Sequence, residues 1–271
     1  MSRRGMGQRC RHVAQIVAAQ LRMSVLAALQ YRVGFWTEGV LSVIWSFVGI
    51  VPLLVAVDHQ GVVSGWGPWH LMVLSGWFMI CSGIFGFFLE PSLIASMNHI
   101  RRGTLDYVLL RPADALVLCL VTEFSPWRFT EILAGAGLVV VSLWNLGLVP
   151  SLGDVGLAVF VGATGIVALY ALGILMLCLN FRAIRLQNLA FLLESMLDFG
   201  RWPVHVFQGV LKAIFMYVVP LAIMTTYPTQ ALLGELAPNT LGVAVITACT
   251  LMLLARLTWS ASLRSYVSAS S

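Results

Sequence analysis

The amino-acid sequence predicts an all-α integral membrane protein that crosses the bilayer six times. Three observations carry this expectation. The chain of 271 residues is 59% hydrophobic and only 10% charged, against about 25% charged residues in soluble domains. Six apolar stretches, each long enough to span or nearly so, are almost free of Asp, Glu, Lys and Arg. The basic residues lie on one side of those stretches. A water-soluble chain of mean hydropathy +0.91 could not cover its own surface. A bilayer removes that difficulty, because the surrounding solvent is apolar and helices satisfy their own backbone groups within it.

A spanning helix needs about 20 apolar residues at a rise of 1.5 Å each. The windows are Gly39 to Val57, Trp69 to Leu89, Ile132 to Val149, Val155 to Phe181, Ala213 to Gly234 and Leu236 to Ala255. Pro220 and Pro228 interrupt the fifth, and Pro238 with Asn239 open the sixth in the manner of a helix start. Leu186 to Phe199 is apolar but contains Gln187, Asn188, Glu194 and Asp198. Two carboxylates in so short a stretch are costly at bilayer depth. It therefore reads as a helix at the cytoplasmic interface, the alternative being a seventh, partly buried span.

The charges favour six. Arg3, Arg4, Arg9, Arg11, Arg22 and Arg32 precede the first span. Arg101, Arg102, Arg111 and Arg128 lie between spans two and three, Arg182, Arg185, Arg201 and Lys212 between four and five, and Arg256 and Arg264 after six. All 16 basic residues thus share one face, while the loops of the other face carry only Asp58, Asp154 and Glu235. By the positive-inside rule both termini are cytoplasmic. Arginine-rich loops beside anionic lipid account for the net charge of +5 without nucleic acid. The polar, basic start has no apolar core ending in a cleavage site, so no cleaved signal peptide is expected. Cys10, Cys81, Cys119, Cys178 and Cys249 are scattered and read as unpaired packing residues.

Residues 1–34 form a cytoplasmic segment in which Gln8 to Tyr31 reads as a basic amphipathic helix on the inner leaflet. Residues 35–259 form the membrane domain, with cytoplasmic segments at 91–128 and 182–212, and 260–271 form a cytoplasmic tail. The 91–128 connection holds the polar string Ile100-Arg101-Arg102-Gly103-Thr104-Leu105-Asp106-Tyr107, then Leu109-Leu110-Arg111-Pro112. Gly103 and Pro112 punctuate it. The apolar residues between them predict a short docked helix rather than a loose linker.

Catalytic signatures are missing. The single lysine, Lys212, has no Gly-rich turn before it and no Ser or Thr after it, so no P-loop is present. There is no H-E-x-x-H and no G-x-S-x-G. His12, His59, His70, His99 and His205 occupy separate segments without metal-ligand spacing. Polar residues within the spans are few: Ser42, Ser46, Ser75, Ser82, Asn145, Thr164 and Tyr170. So few intramembrane ionisable groups argue against an ion channel or proton-coupled carrier and point weakly to lipid-like or amphipathic drug-like cargo. Ser82 with Gly86, and Ala158 with Gly162, have the small-xxx-small spacing of close helix packing.

The loop string resembles the I-R-R-G-x-L-D-x-x-L-L-R-P signature of a bacterial family of ABC-2 (type 2) exporter permeases. Leu193-Glu194-Ser195 with Asp198, Arg201 and Pro203, then Val219-Pro220, Tyr227-Pro228 and Leu232-Leu233-Gly234, agree with it. The similarity covers roughly residues 25 to 258. It implies a non-catalytic permease subunit of the bacterial inner membrane, with six spanning helices and a bent, partly re-entrant segment between the last two. It further implies half of a translocation path, completed by a second permease chain. Cytoplasmic ATPase subunits would carry the ATP and magnesium, leaving this chain without cofactor, metal or catalytic residues. The loop would couple to that ATPase through Ile100, Arg101, Arg102, Gly103, Leu105, Asp106, Tyr107, Arg111 and Pro112. The substrate residues stay open. The alternatives are a membrane scaffold or assembly protein and an intramembrane lipid-metabolising enzyme, the latter needing clustered His, Asp or Glu at the inner face.

Overall fold

A computed structural model describes residues 32–63, 65–110, 115–120, 122–182 and 189–264, together with 15, 18–26 and 30. The described residues are helical apart from connecting turns and one isolated bridge, Val63 to Trp66. The α-helices are α1 (Arg32–Val48), α2 (Val51–Gln60), α3 (Pro68–Ile84), α4 (Glu90–Arg101), α5 (Asp106–Leu109), α6 (Ala115–Leu120), α7 (Phe129–Asn145), α8 (Leu152–Arg182), α9 (Leu189–Leu197), α10 (Gly209–Ala213), α11 (Tyr227–Leu232) and α12 (Pro238–Arg264). Five helical runs are long and apolar enough to cross a membrane: Val33–Val55, Pro68–Arg101, Pro126–Asn145, Leu152–Leu179 and Pro238–Arg264. A sixth candidate is the pair Gly209–Val218 and Ala222–Leu232, bent by 68°. The chain is an all-α polytopic membrane protein, as its composition predicts.

Prolines shape two of these runs, and their consequences are visible in hydrogen bonds. Pro91 sits in the second run, where a proline withholds the N–H that an α-helix would aim at Phe87. A π-helical turn, Phe85–Leu89, takes up the irregularity, and the Ser125 N–H donates to the Phe87 carbonyl at 3.1 Å. Pro228 likewise has no N–H for Met224. The Trp77 indole Nε1 donates to the Met224 carbonyl instead, at 3.0 Å. A hydrophobic interior tolerates these breaks only because other chain segments supply the missing donors.

Close packing uses small residues. A Cβ on Gly76 would lie 2.8 Å from the Gly135 carbonyl oxygen, so α3 and α7 meet backbone to backbone. Gly162, of the small-residue pair on α8, leaves room for the Trp77 ring, which a Cβ would approach to 2.7 Å. At the far end of α8, Phe181 meets Trp259 of α12 edge to face at 5.7 Å. A Ser151-x-x-Asp154 capping box opens α8: the Ser151 N–H and hydroxyl donate to Asp154 at 2.9 and 2.7 Å, and the Asp154 N–H donates to the Ser151 hydroxyl at 3.2 Å.

The described part of the stretch expected at the interface makes specific contacts with the bundle. After α9 the chain makes a 3-10 turn, Asp198–Arg201, and Arg201 stacks over the Phe78 ring at 4.6 Å. Phe78 lies ten residues into α3 from Pro68, about 15 Å along the helix, and so near the middle of the bundle. Further on, Trp202 and Val206 pack on Leu53, Val63, Trp66, Leu71 and Leu74 near the 61–66 turn. Residues 189–206 thus touch the bundle both at Phe78 and near the 61–66 turn. In the bent pair that follows, Phe215 of the first limb meets Phe207 edge to face at 4.7 Å and stacks on Phe199 at 5.2 Å. A bend of 68° belongs to a broken span or a re-entrant loop. Of the expected amphipathic helix from Gln8 to Tyr31, residues 18–26 are helical, with Gln20 Nε2 donating to the Thr122 carbonyl; the rest lies largely outside the described residues.

Candidate functional site: a charged cavity inside the bundle

Beside α1 lies a cavity of about 640 Å³. Its walls come from four places in the sequence: α1, the second run from Phe78 to Glu90, the start of the third run, and α9 with its 3-10 turn. Aromatic surface comes from Trp45, Phe78, Phe85 and Trp127, and ionisable groups from Glu38, Glu90, Arg128, Glu131, Glu194, Asp198 and Arg201.

Arg128 is the centre of the charged side. Its guanidinium reaches Glu90 at 3.1 Å, Glu131 at 3.2 Å and Glu194 at 3.6 Å, tying together three separate helices. Glu131 is only 2% exposed and also accepts a hydrogen bond from the Ser46 hydroxyl at 2.9 Å, which brings in α1. Each buried charge is thereby paired and hydrogen-bonded, the condition for keeping it out of water. Gly86 makes the arrangement possible, since a Cβ there would come within 2.6 Å of Arg128 Nε.

Arg201 forms a second knot. Its Nη2 pairs with Asp198 at 3.2 Å, its Nη1 donates to the Ser46 carbonyl at 2.8 Å, and its plane covers Phe78. Gly49 lies directly beneath it, where a Cβ would collide with the guanidinium at 2.2 Å. Ion pair, carbonyl and ring together offset the cost of an arginine at this depth.

The predicted coupling loop lies at the other end of α4. Gly103, with φ of +67°, closes a Schellman cap in which the Thr104 N–H donates to the His99 carbonyl at 3.0 Å and the Gly103 N–H to Ile100 at 3.2 Å. Ile100 and Leu105 are buried in the chain's own core, while Arg101 and Arg102 are exposed. Asp106 is half-buried, and Tyr107 and Leu110 stand out at 73% and 81% exposure. Arg111 and Pro112 lie outside the described residues. The structure thus separates two groups: the 100–107 turn, and a cavity about 17 Å away along α4, measured from Glu90 to Arg101.

Sequence reading missed the cavity because it placed Arg128 in a loop, Glu194, Asp198 and Arg201 in the interfacial segment, and left Glu38, Glu90 and Glu131 just outside its apolar windows. A usable signal was present. Arg128 and Glu131, where an apolar helix begins, and Asp198 and Arg201, where one ends, are opposite charges three residues apart, the spacing of ion pairs on one helix face. Of the polar span residues named from the sequence, Ser42, Ser46 and Ser82 line the cavity, whereas Asn145 and Thr164 bond back to their own helices at 2.8 Å. Among the described residues no group of three or more His, Cys, Asp or Glu could hold a metal ion.

A family model described as "ABC-2 family transporter protein" matches residues 43–270. No curated protein and no solved structure matches the chain.

Proposed function

We propose that this chain, which belongs to the ABC-2 transporter family, is the permease subunit of an ATP-driven exporter and contributes one wall of its substrate path. The observation that carries the reading is the charged cavity beside α1. Intramembrane ionisable groups are expensive and generally mark a transport route. The α1 helix is widely exposed next to it, with Trp36 at 63% and Trp45 at 68%, so one protomer does not close the cavity. A second permease chain, a different one or another copy, would complete it.

With no P-loop in the sequence, the engine is a separate cytoplasmic ATPase that holds ATP and magnesium. Its docking point would be the turn after α4, with Arg101 and Arg102 offering charge, and Tyr107 and Leu110 offering apolar surface. Gly103 shapes the turn; Ile100 and Leu105 anchor it from within; Asp106, Arg111 and Pro112 complete the motif. On this reading α4 is the rod that carries displacement from the turn to Glu90 and Arg128. The membrane is the bacterial inner membrane, with both termini in the cytoplasm.

The test is reconstitution with a co-expressed ABC ATPase from the same genome. The proposal expects no hydrolysis by the chain alone, and ATP-dependent substrate movement only with both proteins. It expects Ser82→Trp, which fills the cavity, to abolish movement while leaving complex assembly intact. Normal transport by that variant would remove the cavity from the path.

A further inference from the structure

The charge balance of the cavity identifies what it takes. Five carboxylates line it against two guanidiniums, a formal surplus of three negative charges. Arg201 is matched one to one by Asp198. Arg128 is not matched: one cation faces Glu90, Glu131 and Glu194. Two of these are committed. Glu131 is buried between Arg128 and Ser46, and Glu90 is held at hydrogen-bond distance. Glu194 has the longest contact, 3.6 Å, and a side chain 49% exposed, so it keeps acceptor capacity directed at the open space. An ionised carboxylate can only accept, and the nearby Glu38 at the exposed edge adds a further acceptor.

The acids do not stand alone. Trp45, Phe78, Phe85 and Trp127 present aromatic surface in the same space, and ring faces attract cations while covering apolar bodies. The volume of about 640 Å³ is that of a pocket for a drug-sized molecule, for which roughly 300–1,000 Å³ is usual. A bare metal ion does not fit the geometry, because the carboxylates splay around a guanidinium instead of converging on a point. An anion would meet the surplus of like charge. A neutral acyl chain would leave that surplus uncompensated.

From this we infer that the cavity binds an organic cation with an apolar body, the positive charge seated against Glu194 and the body against the tryptophans. The inference rests on reading the cavity as part of the transport path, and it refines the cargo from merely amphipathic to cationic.

Tetraphenylphosphonium and tetraphenylborate test it, because they share one shape and carry opposite charges. The full chain is placed in nanodiscs, and binding is followed by equilibrium dialysis against empty discs. Saturable binding of the phosphonium, with the borate at least tenfold weaker, is expected. Glu194→Gln is expected to weaken the phosphonium about tenfold, by loss of a charged partner. Glu235→Gln, remote from the cavity, is expected to change nothing. Equal binding of the two ions, uptake no greater than in empty discs, or an unaltered affinity in Glu194→Gln would overturn the assignment, provided the variant melts at the wild-type temperature. The two readings fail separately. If Ser82→Trp stops transport but charge sign is immaterial, the path stands and the cation does not. If Ser82→Trp transports normally, the path itself is lost.

Discussion

Trp77 and Pro228 form a pair whose logic is testable one residue at a time. The indole serves the Met224 carbonyl that a proline at 228 cannot serve. Trp77→Phe keeps an aromatic ring but strands that carbonyl in an apolar interior, with only the Cys81 thiol at 3.5 Å in reach. A loss of about 1–3 kcal/mol is expected. In a Pro228→Ala background the backbone N–H is restored, so the same substitution is expected to cost less, and thermal unfolding of the four proteins reads the difference directly. Additive losses would mean that the indole and the missing N–H are unrelated. Gly86 offers a second residue-scale test. Gly86→Ala forces a methyl against Arg128 and is expected to destabilise by about 1–3 kcal/mol. Gly137→Ala, which meets nothing within 4 Å, is expected to be neutral or to stabilise by up to about 1 kcal/mol. Equal melting temperatures for the two variants would show that the Gly86 gap is not needed.

At the scale of elements, the turn at Gly103 was legible in the sequence, whereas α4, read as part of a connection from residue 91, continues the second helical run to Arg101, and the α9 region was not legible. The turn was readable because Gly103 and its neighbours announce a helix stop in their own local chemistry. Of the apolar residues between Gly103 and Pro112, Leu105 turns inward to the core. The contacts of Arg201 were not legible because a charge count treats every arginine as a solvent-facing marker. Arg201 is instead satisfied by Asp198, Ser46 and Phe78, partners 3, 155 and 123 positions away in a sequence that cannot display long-range pairing. The turn itself supplies the element-scale prediction. Arg102→Lys with Arg111→Lys keeps the charge but removes the planar fork that grips carboxylates. If the turn is a specific docking surface, these substitutions, or Asp106→Ala, lower transport-linked ATPase stimulation several-fold at unchanged membrane levels. Wild-type stimulation in both would leave the arginines as topology markers only.

For the whole molecule, the remaining question is how the chain threads the membrane, and Gln208 decides it. The charge pattern placed 182–212 on the basic face and used 213–234 as the fifth span. We propose a different path, which the packing supports. Residues 189–206 comprise 18 positions, about 27 Å if helical throughout, close to the roughly 30 Å of a hydrocarbon core. They end with Trp202 and Val206 against the 61–66 turn, at the end of the bundle opposite Arg101. On that path the bent pair from Gly209 to Leu232 would dip inward and return, with Pro220 at its break and Trp77 bonded to Met224 of its second limb. Both paths put the termini on one face, so reporters at Ser271, at Arg101–Arg102 and at Gly61 cannot separate them; all three are expected to read cytoplasm, cytoplasm and outside in either case. Gln208, exposed at the start of the bent pair, does separate them. In a cysteine-free background, Gln208→Cys is expected to react with a membrane-impermeant maleimide added to intact cells, and Arg102→Cys only after the membrane is opened. Should Gln208→Cys also require opening, the bent pair is a true span, residues 189–206 lie on the basic face after all, and Arg201 reaches Phe78 by a route that the bundle packing does not describe.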